Sequence, residues 1–175
     1  MIDKVRLRRK VCVLGALGVG KTSLVRRFVD HEFDEDYRQT IGVAISKGTL
    51  NFDDISLELM LWDHEGTEPG SQYSGSFISG ASGLIFVVDV TRPKTLDHLL
   101  EAQAKGRGYT GSRPSVLVAN KIDLTHDFAL TREQLDRAGE QDWLIIQASA
   151  KSGDNVDDAF AKLGQMMLDA RKKSA

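Results

Sequence analysis

The chain has 175 residues, 41% of them hydrophobic and 27% charged, ordinary for a soluble globular protein of one domain whose core needs no disulfide or metal staple. A net charge of −2 gives no global case for nucleic acid or for an acidic partner. Met1 to Arg6 lacks the apolar core of a signal peptide, no segment is long and apolar enough to span a membrane, and a chain with one cysteine fits the reducing cytosol.

Val5 to Leu14 reads as the first strand. Its basic lead-in (Arg6, Arg8, Arg9, Lys10) is a solvated strand edge more often than a binding patch, and Cys12 in its apolar half reads as a buried small hydrophobe. Gly15 to Thr22 follows with the pattern G-x-x-x-x-G-K-[ST] between a strand and a helix, the context a phosphate-binding loop needs. Gly15, Gly18 and Gly20 can take positive φ, which turns successive N–H groups inward around an anion, and the helix behind adds the positive end of its dipole. Leu17, Gly18, Val19, Gly20, Lys21, Thr22 and Ser23 would line the phosphates. Lys21 would reach the β- and γ-phosphates, and the Thr22 hydroxyl would bind Mg²⁺.

Lys21 to about Asp30 is the first helix, with Leu24, Val25, Phe28 and Val29 on one face. His31 to Gly42 is polar, acidic and aperiodic, a loop. Val43–Phe52 and Ile55–Trp62 are strands with turn chemistry between them from Asn51-Phe52-Asp53-Asp54, and so an antiparallel hairpin. The segment to Ser82 is rich in Gly and Ser, with at most a weak helix over Ser71–Ile78. Gly83 to Val90 is a nearly unbroken apolar run, a strand buried on both faces. Thr95 to about Lys105 is a helix, Ser115–Ala119 a strand, Thr131 to about Gln141 a helix opened by a capping box, Trp143–Ala148 the last strand. Val156, Ala159, Phe160, Leu163, Met166, Met167 and Ala170 form the apolar stripe of a final helix. This alternation implies an α/β domain spanning 1–175, with a mainly parallel sheet, helices on both faces, and Val43–Phe52 as an antiparallel edge.

In such a sheet ligands sit at the carboxyl ends of the strands, where the remaining candidates fall. Asp63, after the hairpin strand, can hold Mg²⁺ through water, and Gly66 three residues on would place a bare N–H near a γ-phosphate. Asn120-Lys121-Ile122-Asp123 follows the Ser115 strand. A carboxylate there accepts the paired N–H donors of guanine, which adenine lacks. Asn120 would brace the site and the Lys121 stem would cover the base or ribose. Ser149-Ala150-Lys151 can add a backbone N–H to guanine O6.

Together these motifs resemble those of a Ras-superfamily small GTPase in the style of the Rab branch, over about Arg8 to Arg171. The resemblance implies the P-loop NTPase fold, with a six-stranded mixed sheet (five parallel strands, one antiparallel edge) flanked by about five helices. It implies a switch that binds GTP or GDP with Mg²⁺ and hydrolyses GTP, with Lys21, Thr40, Gly66 and Thr67 at the chemistry. Thr22, Thr40 and, through water, Asp63 would hold the metal; Phe33 would lie edge-on to guanine and Tyr37 close over the phosphates. Effectors, exchange factors and activators would read switch I (33–42) and switch II (63–77) of a monomer.

The chain departs from the family pattern at four places. Thr67 stands where a glutamine orients the attacking water, although the Rap branch also carries threonine there. Glu65 replaces a small residue beside the γ-phosphate and would repel it unless the carboxylate points away, is protonated or meets a cation. His64 next to it could act as a polar substitute, but reads more readily as a solvated loop histidine. Leu17 crowds the space a water-orienting residue and an arginine finger would share. These three positions, 17, 65 and 67, predict slow hydrolysis, the alternative being a non-hydrolysing pseudo-GTPase scaffold. Finally, Arg171 to Ala175 holds no cysteine for a prenyl anchor, so this chain would be cytoplasmic and meet membranes only peripherally, through partners or a missing tail.

Overall fold

The computed structural model describes residues 4–35, 40–68, 73–105 and 113–174. The expected apolar runs are strands. β1 (Val5–Leu14), β3 (Ile55–His64), β4 (Gly83–Asp89), β5 (Ser115–Asn120) and β6 (Leu144–Gln147) run parallel to their neighbours, and β2 (Val43–Asn51) pairs antiparallel with β3. The spatial order is β2-β3-β1-β4-β5-β6. β4 and β5 are buried along their whole length, as their lack of alternation demands.

Side-chain alternation on the central strands splits the core into two layers. Val11 and Val13 of β1, Ile85 and Val87 of β4, and Val116 and Val118 of β5 pack with α1 (Lys21–Asp30) and α5 (Val156–Ser174). Cys12, Leu14, Phe86, Val88, Leu117 and Ala119 face the other way. They meet α2 (Gly75–Ile78), α3 (Lys94–Lys105) and α4 (Arg132–Gly139). In the first layer Phe28 of α1 stacks on Phe160 of α5 with centroids 4.0 Å apart, and the Phe28 ring lies under Gly48 of β2, where a Cβ would come within 2.4 Å of it. Cys12 is fully buried, and desolvation pushes its thiol up to about 11.

Several boundaries move. β3 runs two residues past Trp62 because Asp63 and His64 pair with Ala44 and Val43 of β2, so Asp63 sits inside the strand instead of after it. α2 is a single turn, shorter than the weak helix read from 71, and residues 71 and 72 lie outside the described set. α4 begins with the expected capping box: the Thr131 hydroxyl accepts from Gln134 N–H while the Gln134 side chain accepts from Thr131 N–H. No helix among the described residues is long and apolar enough to cross a membrane.

Candidate functional site

Gly15 to Gly20 joins β1 to α1 as a loop with Gly18 at φ 74° and Gly20 at φ 97°, conformations that suit glycine. Three successive carbonyls of this loop are taken by side chains from other strand ends. Arg92 Nη2 donates to Leu17 O at 3.0 Å, Lys121 Nζ to Gly18 O at 2.8 Å, and Asn120 Nδ2 to Val19 O at 2.9 Å. The N–H groups of Gly18, Val19 and Gly20 make no backbone hydrogen bond to the described residues. A loop with its carbonyls bound outside and its N–H groups spare is built to hold an anion. Lys21, 6% exposed, lies inside it with Nζ 3.0 Å from both Gly15 O and Ala16 O. Burial pulls its ammonium down to about 8; Asp63 opposes that shift and Arg92 adds to it. An anion in the loop would restore the full charge.

Beside Lys21 three oxygen ligands converge. Thr22 Oγ1, in the first turn of α1, is 2.6 Å from Thr40 Oγ1 in the loop before β2 and 2.5 Å from Asp63 Oδ2 in β3. Asp63 is 2% exposed, and its Oδ1 has no hydrogen-bond partner among the described residues. Burial raises its pKa, against the pull of Thr22 and Lys21. Two hydroxyls and a buried carboxylate with an orphaned oxygen fit a hard cation of the Mg²⁺ class, which takes oxygen ligands and keeps several waters. The residues assigned to the metal from the sequence (Thr22, Thr40, Asp63) are therefore neighbours.

On the other side of the loop is a cleft of about 410 Å³. Its walls are Gly18, Gly20 and Ser23 from the loop and α1, Phe33, Asp34 and Glu35 from switch I, and Asn120, Lys121, Asp123, Leu124, Ala150 and Lys151 from the ends of β5 and β6. Lys121 adopts φ 73°, which turns its stem back along the loop. Ser149 Oγ donates to Asp123 Oδ1 at 2.6 Å and fixes the carboxylate at the cleft wall. Lys151 Nζ lies 3.3 Å from Glu35 Oε1 and ties switch I to the β6 end. Within Ser149-Ala150-Lys151, Ala150 N–H donates to Asn120 Oδ1 at 3.0 Å and Ser149 N–H to Asp154 O at 3.0 Å. Tyr37 lies outside the described residues, as do residues 69 to 72 of switch II.

The departures of switch II have definite places. Glu65 does not face the Lys21 loop. Its N–H donates to Gly42 O at 2.7 Å and its Oε2 accepts from Gly42 N–H at 3.0 Å, so the carboxylate clasps switch I. The repulsion expected at a γ-phosphate is thereby turned aside. His64 is a correction: its ring is partly buried against Phe77 (centroids 4.6 Å apart) and Tyr73, with Nδ1 2.5 Å from Glu65 O. Packing won because β3 extends this far and carries the ring over α2. Thr67 pairs by backbone with the phosphate loop, Leu17 N–H to Thr67 O and Thr67 N–H to Gly15 O, each 3.3 Å. Gly66 is pressed on Leu17: a Cβ there would sit 2.3 Å from Leu17 Cα. The Thr67 hydroxyl donates to Tyr73 Oη at 3.3 Å.

Sequence reasoning missed Tyr73 and Arg92. Arg92 was findable, since Asp89 to Arg92 occupies the one parallel strand end among β3 to β6 for which no motif had been assigned. Tyr73 has no such signal, being an aromatic in an aperiodic stretch.

The comparisons with known proteins agree with this layout. The Ras family model matches residues 10–169. The chain is 34% identical over 163 residues to the Ras-related protein Rab-1 of Theileria parva, covering 91% of this chain and 74% of that one, and equally to the Rab-1 of Theileria annulata. It is 34% identical over 157 residues to the human Ras-related protein Rab-12, covering 88% of this chain and 64% of the other. With its α/β sheet, phosphate loop and strand-end motifs in the order that family model spans, the chain belongs to the Ras family, as a Rab-like small GTPase.

Proposed function

We propose that the cleft binds GDP or GTP with Mg²⁺, and that this single-domain monomer hydrolyses GTP slowly. The observation that carries the reading is the convergence, on one loop, of three outward-bound carbonyls, the Thr22–Thr40–Asp63 oxygen cluster and the Asp123 carboxylate. Asp123 would accept the paired N–H donors of guanine while Phe33 and Lys121 flank the base and ribose. The loop N–H groups of residues 18 to 23 and Lys21 would neutralise the phosphates and the charge developing on the transferring phosphoryl group. Thr22, Thr40 and, through water, Asp63 would hold Mg²⁺, which when bound supplies charge neutralisation at the β- and γ-phosphates. Gly66 N–H would meet the γ-phosphate, and water is the nucleophile.

Slow turnover follows from two positions. Leu17 fills space beside Gly66, and Thr67 is too short to bridge water and phosphate as a glutamine does. Effectors, exchange factors and activators would read residues 33–42 and 63–77, and any membrane contact would be peripheral, from a cytoplasmic pool. Single-turnover release of γ-labelled phosphate tests the rate. The expected value lies below the intrinsic rate of Ras, about 3–5 × 10⁻⁴ s⁻¹. An equal or faster rate contradicts slow hydrolysis, and stably bound GTP with no release supports the scaffold alternative.

A further inference from the structure

We infer that Arg92, which no motif marks, is a positioning residue that sets the phosphate loop for the β-phosphate; this rests on the nucleotide reading above. A loop that offers N–H groups to an anion must keep its carbonyls on the opposite side. Here each carbonyl from Leu17 to Val19 has its own side-chain donor. Two of the donors, Asn120 and Lys121, belong to the guanine-reading motif. The third is the Arg92 guanidinium, which takes Leu17 O and so holds the first peptide of the cradle.

The anchor is built, not incidental. Arg92 Nε donates to Asp89 Oδ2 at 3.0 Å, and Lys121 Nζ donates to the same oxygen at 2.7 Å. Asp89 Oδ1 accepts from Thr91 N–H at 2.9 Å and Thr91 Oγ1 at 2.7 Å. Asp89 is 1% exposed. Burial opposes its charge, but the bonds from Lys121, Thr91 and Arg92 outweigh it and hold the carboxyl below its usual range. One buried carboxylate therefore carries two cations, and the cations grip adjacent carbonyls, Leu17 O and Gly18 O. The planar fork of arginine is needed, because a single side chain must reach Asp89 and Leu17 O at once. Leu17 is held from the other side too, through its N–H to Thr67 O, so the peptides on both sides of its Cα are anchored.

An outer anchor of this kind acts on what the loop binds. Losing it should weaken the hold on the β-phosphate and leave the base pocket alone. The test displaces a fluorescent GDP analogue from the full chain, in Mg²⁺, with GDP or with GMP, which shares the guanine, ribose and α-phosphate. In Arg92→Met the ratio of GMP to GDP dissociation constants should fall about tenfold, the scale of one hydrogen bond to a charged group at a half-exposed side chain. Arg92→Lys, which keeps the charge but cannot span both partners, should recover part of the ratio. Lys94→Met, at an exposed cation of the same helix start, should keep it. Arg92→Met with the wild-type ratio, or with GDP and GMP weakened equally, overturns the inference. If Arg92→Met does not fold, Arg92→Lys makes the same comparison. Wild-type protein that fails to distinguish GDP from GMP overturns the nucleotide reading itself, and the inference with it.

Discussion

Gly66→Ala separates nucleotide binding from the chemistry of the γ-phosphate. The added Cβ would stand 2.3 Å from Leu17 Cα and 2.6 Å from Leu17 N, and both are backbone atoms that cannot rotate away. The conflict is relieved only if residues 66 and 67 lift off the phosphate loop. That breaks the Ala16–Thr67 bridge and its two hydrogen bonds, Leu17 N–H to Thr67 O and Thr67 N–H to Gly15 O. At about 1 kcal/mol each, the loss is about 2 kcal/mol. If the docked form of switch II is the one that reacts, its population falls roughly 30-fold, and so does the rate. The GDP contacts proposed for residues 18 to 23 and 120 to 151 are untouched. Single-turnover hydrolysis and GDP dissociation, measured on the same preparation, give both numbers. Hydrolysis at the wild-type rate, or GDP affinity lost in the same proportion as the rate, would show that the contact of residues 66 and 67 with the phosphate loop plays no separate part in the chemistry.

Asp123→Ala removes the carboxylate that Ser149 fixes in the cleft; GDP affinity should fall about 10²–10⁴-fold, the range of two lost hydrogen bonds to a charged group, with binding of ADP unchanged in a competition assay. Thr131→Ala takes away the α4 capping box and should cost about 1 kcal/mol, read as a melting temperature about 2–4 °C lower, with GDP binding intact. The Cys12 thiol titrates at about 11 in the fold against 9.0 unperturbed, so its raised value stabilises the protein below pH 9 and that contribution is lost as pH rises from 9 to 11. Denaturant unfolding of wild type should therefore lose about 2–3 kcal/mol over that interval relative to Cys12→Ala, and parallel pH curves for the two would contradict it.

The fold was legible because its strands announce themselves. β4 and β5 are unbroken apolar runs, and the Asp53-Asp54 turn fixes the hairpin of β2 and β3. Thr131 and Gln134 mark a helix start by chemistry alone. The site residues from Gly15 to Lys151 were legible for a different reason: each lies at a strand end and each type has a task that few others perform. What the sequence hid depends on partners far away in the chain. The extra length of β3 comes from pairing with Val43 and Ala44, and that pairing in turn buries His64. The direction of the Glu65 carboxylate is set by Gly42, 23 residues away, and the value of Arg92 by a carbonyl 75 residues away. No local pattern encodes such contacts.

The proposed guanine-nucleotide site is the cleft between Gly18 and Lys151. Titration of the purified, nucleotide-stripped chain with GDP and with ADP, each in the presence of Mg²⁺, tests it most directly. Saturable GDP binding that weakens when Mg²⁺ is chelated is expected, with ADP binding weaker by a factor of at least about 10³, because adenine would leave Asp123 unpaired. Equal affinity for the two nucleotides, or no binding of GDP, would contradict it.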